Sequence, residues 1–210
     1  MSEPTPSRMI SIGALTVSLR DPAFYDRDTF SYERIEVLRG SASMLFGRGS
    51  TGGVVNQVQK QAVLADSNDA SFTAGSGSFL RFAGDFNVKT GRTSALRLNV
   101  MKTDAKNAGN HVDKQGLALK YRWGIGTDDE VSASSYQLRN NNGINYGLPW
   151  LRQASRQPGA NPSGMIAIDP RNHHAADSNY NVGGATYGTI SWTHQFDNGG
   201  EMKTTLRHAA

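Results

Sequence analysis

Beyond residue 62 the chain alternates between apolar and polar positions. Leu80, Phe82, Phe86 and Val88 are interleaved with Arg81, Asp85, Asn87 and Lys89. Leu96, Leu98 and Val100 alternate with Arg97 and Asn99, and Leu117, Leu119, Tyr121, Trp123 and Ile125 with Lys120 and Arg122. Ile190, Trp192 and Phe196 alternate with Thr189, Ser191, Thr193 and Gln195. A period of two over about ten residues predicts a strand with one apolar face. Gly84 interrupts the first set and weakens it only locally.

The connections alternate too. Thr90 to Arg92 reads as a tight turn, 104–111 as a longer polar loop, 124–129 as short and 197–200 as short. Residues 141–177 form a long stretch rich in Asn, Pro and Gly. Short connections on one rim and long ones on the other are the pattern of an outer-membrane barrel, and a long structureless loop is unusual in a compact soluble domain.

Before residue 62 the texture is mixed. Tyr32 to Leu38 predicts a strand with Ile35 and Val37 on one face, ended by Gly40. Ser41 is suited to cap a short helix, Ala42 to Phe46. Gly47, Gly49, Gly52 and Gly53 come next, where the backbone needs positive φ or close approach. Val54 to Val58 predicts a second strand. Residues 1–18 carry no clear signal.

Composition sharpens this picture. Only 37% of the residues are hydrophobic, and 23 are glycine. Low hydrophobicity fits disorder or a barrel wall, and the alternation favours the wall. The net charge of +4 is scattered, with no basic run of a nucleic-acid arm. The absence of cysteine rules out disulfides, thiolate metal sites and a cysteine nucleophile. The longest apolar runs are far short of the ~20 residues of a membrane-spanning helix, and residues 1–20 do not read as a signal peptide.

Residues 33–60, ERIEVLRGSASMLFGRGSTGGVVNQVQK, resemble the end of the plug domain of TonB-dependent siderophore receptors. That family has a strand of the type RIEVLRGP, a short helix, an aromatic-Gly corner and a Gly-rich turn into a GGVVN strand. Ser41 stands where the family usually has proline. RDPAFYDRDTF (20–30) resembles the family's apical plug loop, and the alternating segments after residue 60 resemble the first barrel strands. NYGLPWL (145–151) and IDPRN (168–172) resemble the early extracellular loop of ferric-siderophore receptors, with the catecholate branch suggested. The resemblance covers about residues 19–210. It implies a mainly β chain: 1–62 as the C-terminal part of a plug, with 1–18 unassigned, and 66–210 as the N-terminal portion of a transmembrane β-barrel. About seven of the 22 strands of a plugged transporter are expected. The family's signal peptide, TonB-binding segment and first plug half do not appear here, so the chain is expected to be a fragment. An open sheet leaves its edge groups unpaired in lipid, so transport by the chain alone is not expected.

The resemblance also implies a mechanism and its residues. A ferric siderophore binds above the plug and TonB pulls the plug to open a path, without covalent chemistry. Iron is expected only as the siderophore chelate, with no cofactor, and the chain is expected not to be an enzyme. The partners implied are the ferric siderophore, TonB and outer-membrane lipid, without nucleic acid. Arg20, Phe24 and Tyr25 on the apical loop, and Phe46 and Arg48 at the corner, are candidate ligand-binding residues through stacking and charge. Core packing for Phe46 and a solvated turn for Arg48 remain open. Glu33, Arg34, Glu36 and Arg39 are a candidate plug–barrel latch. Wall charges such as Arg81, Asp85, Arg97, Lys120 and Arg122 would satisfy them, and a solvated strand face is the alternative. Trp123 and Trp192 are expected in an aromatic girdle near the short turns.

Other chemistry finds little support. GRGSTGG lacks the Lys-Ser or Lys-Thr of a phosphate loop. His173 and His174 are adjacent and lack the spacing of a helical zinc site. No set of nucleophile and base is assignable. Two alternatives stay open: the same machinery carrying haem, a corrinoid or a carbohydrate, and a soluble β-rich binding module.

Overall fold

The structure is a computed structural model and describes residues 26–39, 53–107, 110–144, 150–151, 164–165, 169 and 181–209. Among them every regular element is a strand. β1 (Tyr32–Arg39) and β2 (Gly53–Gln59) form an antiparallel pair. β3 (Ser67–Gly75), β4 (Phe79–Lys89), β5 (Ser94–Asn107), β6 (Asn110–Trp123) and β7 (Asp129–Asn142) run up and down as neighbours. β8 (Trp150–Leu151) and β9 (Gly164–Met165) make a small pair of their own. β10 (Asn181–Gln195) returns beside β7, and β11 (Glu201–Ala209) completes a 7-stranded antiparallel sheet.

The register turns sequence alternation into two unlike faces. On the outer face Val88, Leu96, Tyr121, Ala133, Ile190 and Leu206 stand side by side across six strands. Trp123, Val131 and Trp192 form the neighbouring row, at the rim of the short connections as the sequence predicts. These side chains are not covered: Leu206 is 71% exposed and Trp123 56%. On the inner face the corresponding row is Asn87, Arg97, Lys120, Ser134, Thr189 and Arg207. A sheet in water buries its apolar face. This sheet presents that face outward and turns the polar one toward the rest of the chain, which is the barrel-wall arrangement.

The buried apolar cluster lies on the inner side. It joins Met101, Tyr136, Leu138 and Ala185 of the sheet to Phe30, which belongs to the segment before β1.

Two connections differ from expectation. The polar stretch 104–111 is mostly strand: β5 runs to Asn107 and β6 starts at Asn110, with Lys106 opposite His111. Polar residues occupy both faces there, so the segment shows no alternation to read. β7 likewise extends to Asn142, into the stretch expected to be loop. The short connection after β6 is as expected. Gly124 has φ of 77°, and a side chain there would meet the Asp129 carbonyl oxygen at 2.0 Å. The predicted helix 42–46 and glycine turn lie outside the described residues.

Candidate functional site

Two short runs, 26–32 and 57–63, come together before they meet the sheet. The Asp28 carboxylate accepts the Phe30 N–H at 3.0 Å, and the Tyr32 N–H reaches the Thr29 carbonyl, making a turn. The Lys60 N–H donates to the Ser31 carbonyl at 2.9 Å. Arg27 and the Tyr32 hydroxyl both donate to Gln57 Oε1. The result is a double-stranded base lying on the inner face of the sheet.

Charges pin this base to the wall. Arg81 of β4 grips both Asp28 oxygens at 2.8 and 2.9 Å and also donates to Thr103. Asp85 takes two cations, Lys60 from the base at 2.7 Å and Arg97 from β5 at 2.7 Å. Arg97 also donates to the Gln61 carbonyl at 2.8 Å. Arg122, paired with Glu130, donates to the Ala62 carbonyl at 2.7 Å. Asn87 exchanges two hydrogen bonds with the Val63 backbone, and Lys114 pairs with Asp26. The ion pairs at Asp28 and Asp85 are largely sheltered, and charge-assisted bonds of this geometry are among the stronger ones. Burial alone would raise the Asp28 carboxyl, but the Arg81 hydrogen bonds and charge outweigh it and hold it below its usual 3.8.

The apolar contact sits among these pairs. Phe30 packs where Gly116 of β6 leaves room: a Cβ at 116 would come within 2.6 Å of the Phe30 ring. Phe30 stacks on Tyr136 at 5.8 Å, and Tyr136 on Tyr187 at 4.7 Å. Gln59 donates to the Tyr187 hydroxyl, and Arg207 lies 4.0 Å over the Tyr187 ring.

The candidate latch residues occupy β1, beyond this base. Arg34 pairs with Glu36 at 2.7 Å on the same strand, and Glu36 also accepts from Asn56 of β2 at 2.8 Å. Those hydrogen bonds, the Asn56 one first, hold the Glu36 carboxyl below its usual range. Glu33 is exposed yet near enough to Arg97 to attract it, and Arg39 is exposed. The structure therefore pairs two of the four with each other. Arg81, Asp85, Arg97 and Arg122 face inward as expected, but their partners are Asp28, Lys60 and the backbone of 61–62. Arg20, Phe24, Tyr25, Phe46 and Arg48 lie outside the described residues. Sequence reasoning missed Asp28, Phe30, Lys60, Gly116 and Tyr136. Asp28 and Phe30 stand in the RDPAFYDRDTF run, but Arg81 lies 53 positions from Asp28, too far for any local signal.

Among the described residues no cluster of three or more His, Asp or Glu is placed to hold a metal. What the arrangement does is hold: it fastens a segment to the polar side of a wall.

Known proteins resemble this chain in sequence and in fold. A family model described as the TonB-dependent Receptor Plug Domain matches residues 13–54, starting inside the stretch that the sequence leaves unassigned. The catecholate siderophore receptor Fiu of Escherichia coli (strain K12) is 28% identical over 198 residues, covering 90% of this chain and 26% of the relative. The open-form crystal structure of the ferric-catecholate import receptor Fiu superposes with a TM-score of 0.80 at 28% identity, over 87% of this chain and 29% of that one. The siderophore receptor PiuA from Acinetobacter baumannii superposes with a TM-score of 0.79 at 25% identity, over 90% and 27%. The chain thus spans about a quarter of the length of the relatives it matches.

Proposed function

We propose that this chain is the plug end and first barrel strands of a TonB-dependent siderophore receptor, and that the receptor containing it imports a ferric siderophore of catecholate type. It sits in the outer membrane of a Gram-negative bacterium, and TonB supplies the energy. The iron is cargo, arriving as its chelate, and the receptor carries no cofactor and catalyses no reaction. The observation that carries this reading is the inverted wall: exposed apolar rows on the outside, and a segment of the family's plug type fastened to the charged inside. A lipid-facing exterior and an occupied polar interior together suit a plugged transporter. In this reading Arg20, Phe24, Tyr25, Phe46 and Arg48 face the ligand, while Asp28 with Arg81 and Lys60 with Asp85 hold the plug to the wall.

The test is uptake. The full-length receptor is expressed in an iron-starved Gram-negative strain lacking its own catecholate receptors, with and without TonB. Radiolabelled iron is offered as a catecholate, a hydroxamate and haem. TonB-dependent uptake of the catecholate is expected. Uptake of another chelate alone overturns the ligand assignment, and uptake independent of TonB overturns the energy source.

A further inference from the structure

The outward positions of β5 and β6 change character at one register row. Along β5 they run Leu96, Leu98 and Val100, and then Lys102, Asp104 and Lys106. Along β6 they run Trp123, Tyr121, Leu119 and Leu117, and then Gln115 and Asp113. Lys102 stands opposite Gln115, Gln115 opposite Arg139 of β7, and Arg139 opposite Gly184 of β10. The strand covers about 27 Å from Trp123 to Gln115 at ~3.4 Å per residue. At a tilt of about 40° this is a height of about 21 Å, close to the ~25 Å of a lipid-facing apolar band. The row therefore lies where hydrocarbon gives way to headgroups, on the side of the long connections.

At this row the surface is hollow. Gly184 contributes no side chain, and a Cβ there would meet the Leu138 carbonyl oxygen at 2.2 Å. Arg139 and Gln115 border a groove of about 530 Å³ on the β10 side. They also border one of about 350 Å³ on the β5 side, where Lys102 and Gln137 join them. These four side chains are exposed. Lys102 is ion-paired with Asp113, so that pair is neutral as a unit. Asp104 stands between two lysines, Lys102 and Lys106, on β5. The Arg139 guanidinium therefore sets the sign of the groove. An arginine fork flanked by carboxamide donors suits an anion with several acceptor oxygens, a phosphate above all. Directly below, Leu117 is 46% exposed and Leu119 41%, a surface for acyl chains. A long cationic stem can lie on such a surface and raise its head to the headgroup layer.

We propose that this part of the outer wall is a seat for a phosphorylated lipid of the leaflet on the long-connection side, with Arg139, Gln115 and Gln137 on a phosphate and acyl chains along Leu117 and Leu119. The lipid belongs to the wall and not to the cargo path. Arg139 points outward, whereas its neighbours Leu138 and Asn140 point to the plug side and are 1% and 3% exposed. The inference rests on the outer-membrane part of the reading above and adds a ligand outside the transport path.

Lipid retention by the purified full-length receptor tests it. The receptor in a non-ionic detergent is offered a bis-phosphorylated, acylated glucosamine disaccharide, or the same lipid stripped of phosphate, and examined by native mass spectrometry. The phosphorylated lipid is expected to be retained at least about fivefold better. Arg139→Gln should lower its retention by a similar factor, and Arg139→Lys should lower it less, because charge remains without the fork. Gln115→Glu is a second variant, which sets a carboxylate in the groove and should lower retention as well. An excess of inorganic phosphate should leave the lipid in place. Equal retention of the stripped lipid, or undiminished retention by Arg139→Gln and Gln115→Glu, overturns the site. Displacement by inorganic phosphate overturns the lipid as its occupant. Uptake is measured on the same preparations of cells, so failure of the receptor reading shows as absent uptake by the unsubstituted receptor, and failure of the lipid seat shows only in retention.

Discussion

The two faces of the seven-stranded sheet are made from the same strands, often from adjacent residues, and do opposite things. Leu96 and Leu98 point outward, where Leu98 lies beside Phe86 and Leu119. Between them Arg97 points inward and holds Asp85 and the Gln61 carbonyl. The outer face works by area and chemical type, so many apolar residues serve equally. The inner face works by position, because each charge meets particular partners at fixed distances. The outer face should therefore tolerate apolar exchanges and reject charge, and the inner face should reject even small changes.

The largest expected effect breaks the inner face. Arg97→Ala removes a partner of Asp85 and the donor to Gln61 and should weaken plug seating by about 3 kcal/mol. A drop in the denaturant midpoint for plug release from the full-length receptor measures it. Next, Leu119→Arg places a charge midway along the outward apolar run Leu117 to Trp123 and should cost about 2–4 kcal/mol of folding stability in lipid. Leu119→Ile should cost far less, read from urea unfolding in vesicles. Third, Gly116→Ala pushes a methyl into the Phe30 ring and should cost about 1–3 kcal/mol. Gly84→Ala is a poor control because it also meets neighbouring side chains, whereas Gly188→Ala faces outward with ordinary contact and should be mild.

Fourth comes acid. The folded-state value of Asp28 lies below its unfolded one, so its stabilisation is fully present above about pH 4 and fades as pH falls through the folded value. Plug release should become easier below about pH 4, and Asp28→Asn should remove that part of the pH slope. The smallest effect is on the exposed pair of β1. Arg34→Ala should leave the plug-release midpoint unchanged, because that pair is open to solvent. A clear drop there would erase the contrast between the fastened base and the exposed charges of β1.

The amino-acid sequence determined the wall. Side chains alternate strictly along a strand, so Leu80, Leu96, Leu117 and Ile190 announce both a strand and its lipid side without any tertiary knowledge. The rows of Trp123 and Trp192 come from the same rule. β3 was harder to see because Ser67–Gly75 is polar or small on both faces, with Phe72 its one large apolar residue. The plug end was legible too, through its glycine-rich motif. Only the tertiary structure decided what fastens plug to wall. The charges of β1 drew attention because they crowd together in the chain, yet Arg34 and Glu36 satisfy each other. The fastening falls to Asp28, Phe30 and Lys60, whose partners Arg81, Gly116 and Asp85 lie on strands brought near by barrel register. Alternation says which face a residue occupies, but not which residue of a distant segment it meets there. That choice depends on how the strands are staggered and where the chain crosses them, and no local pattern encodes it.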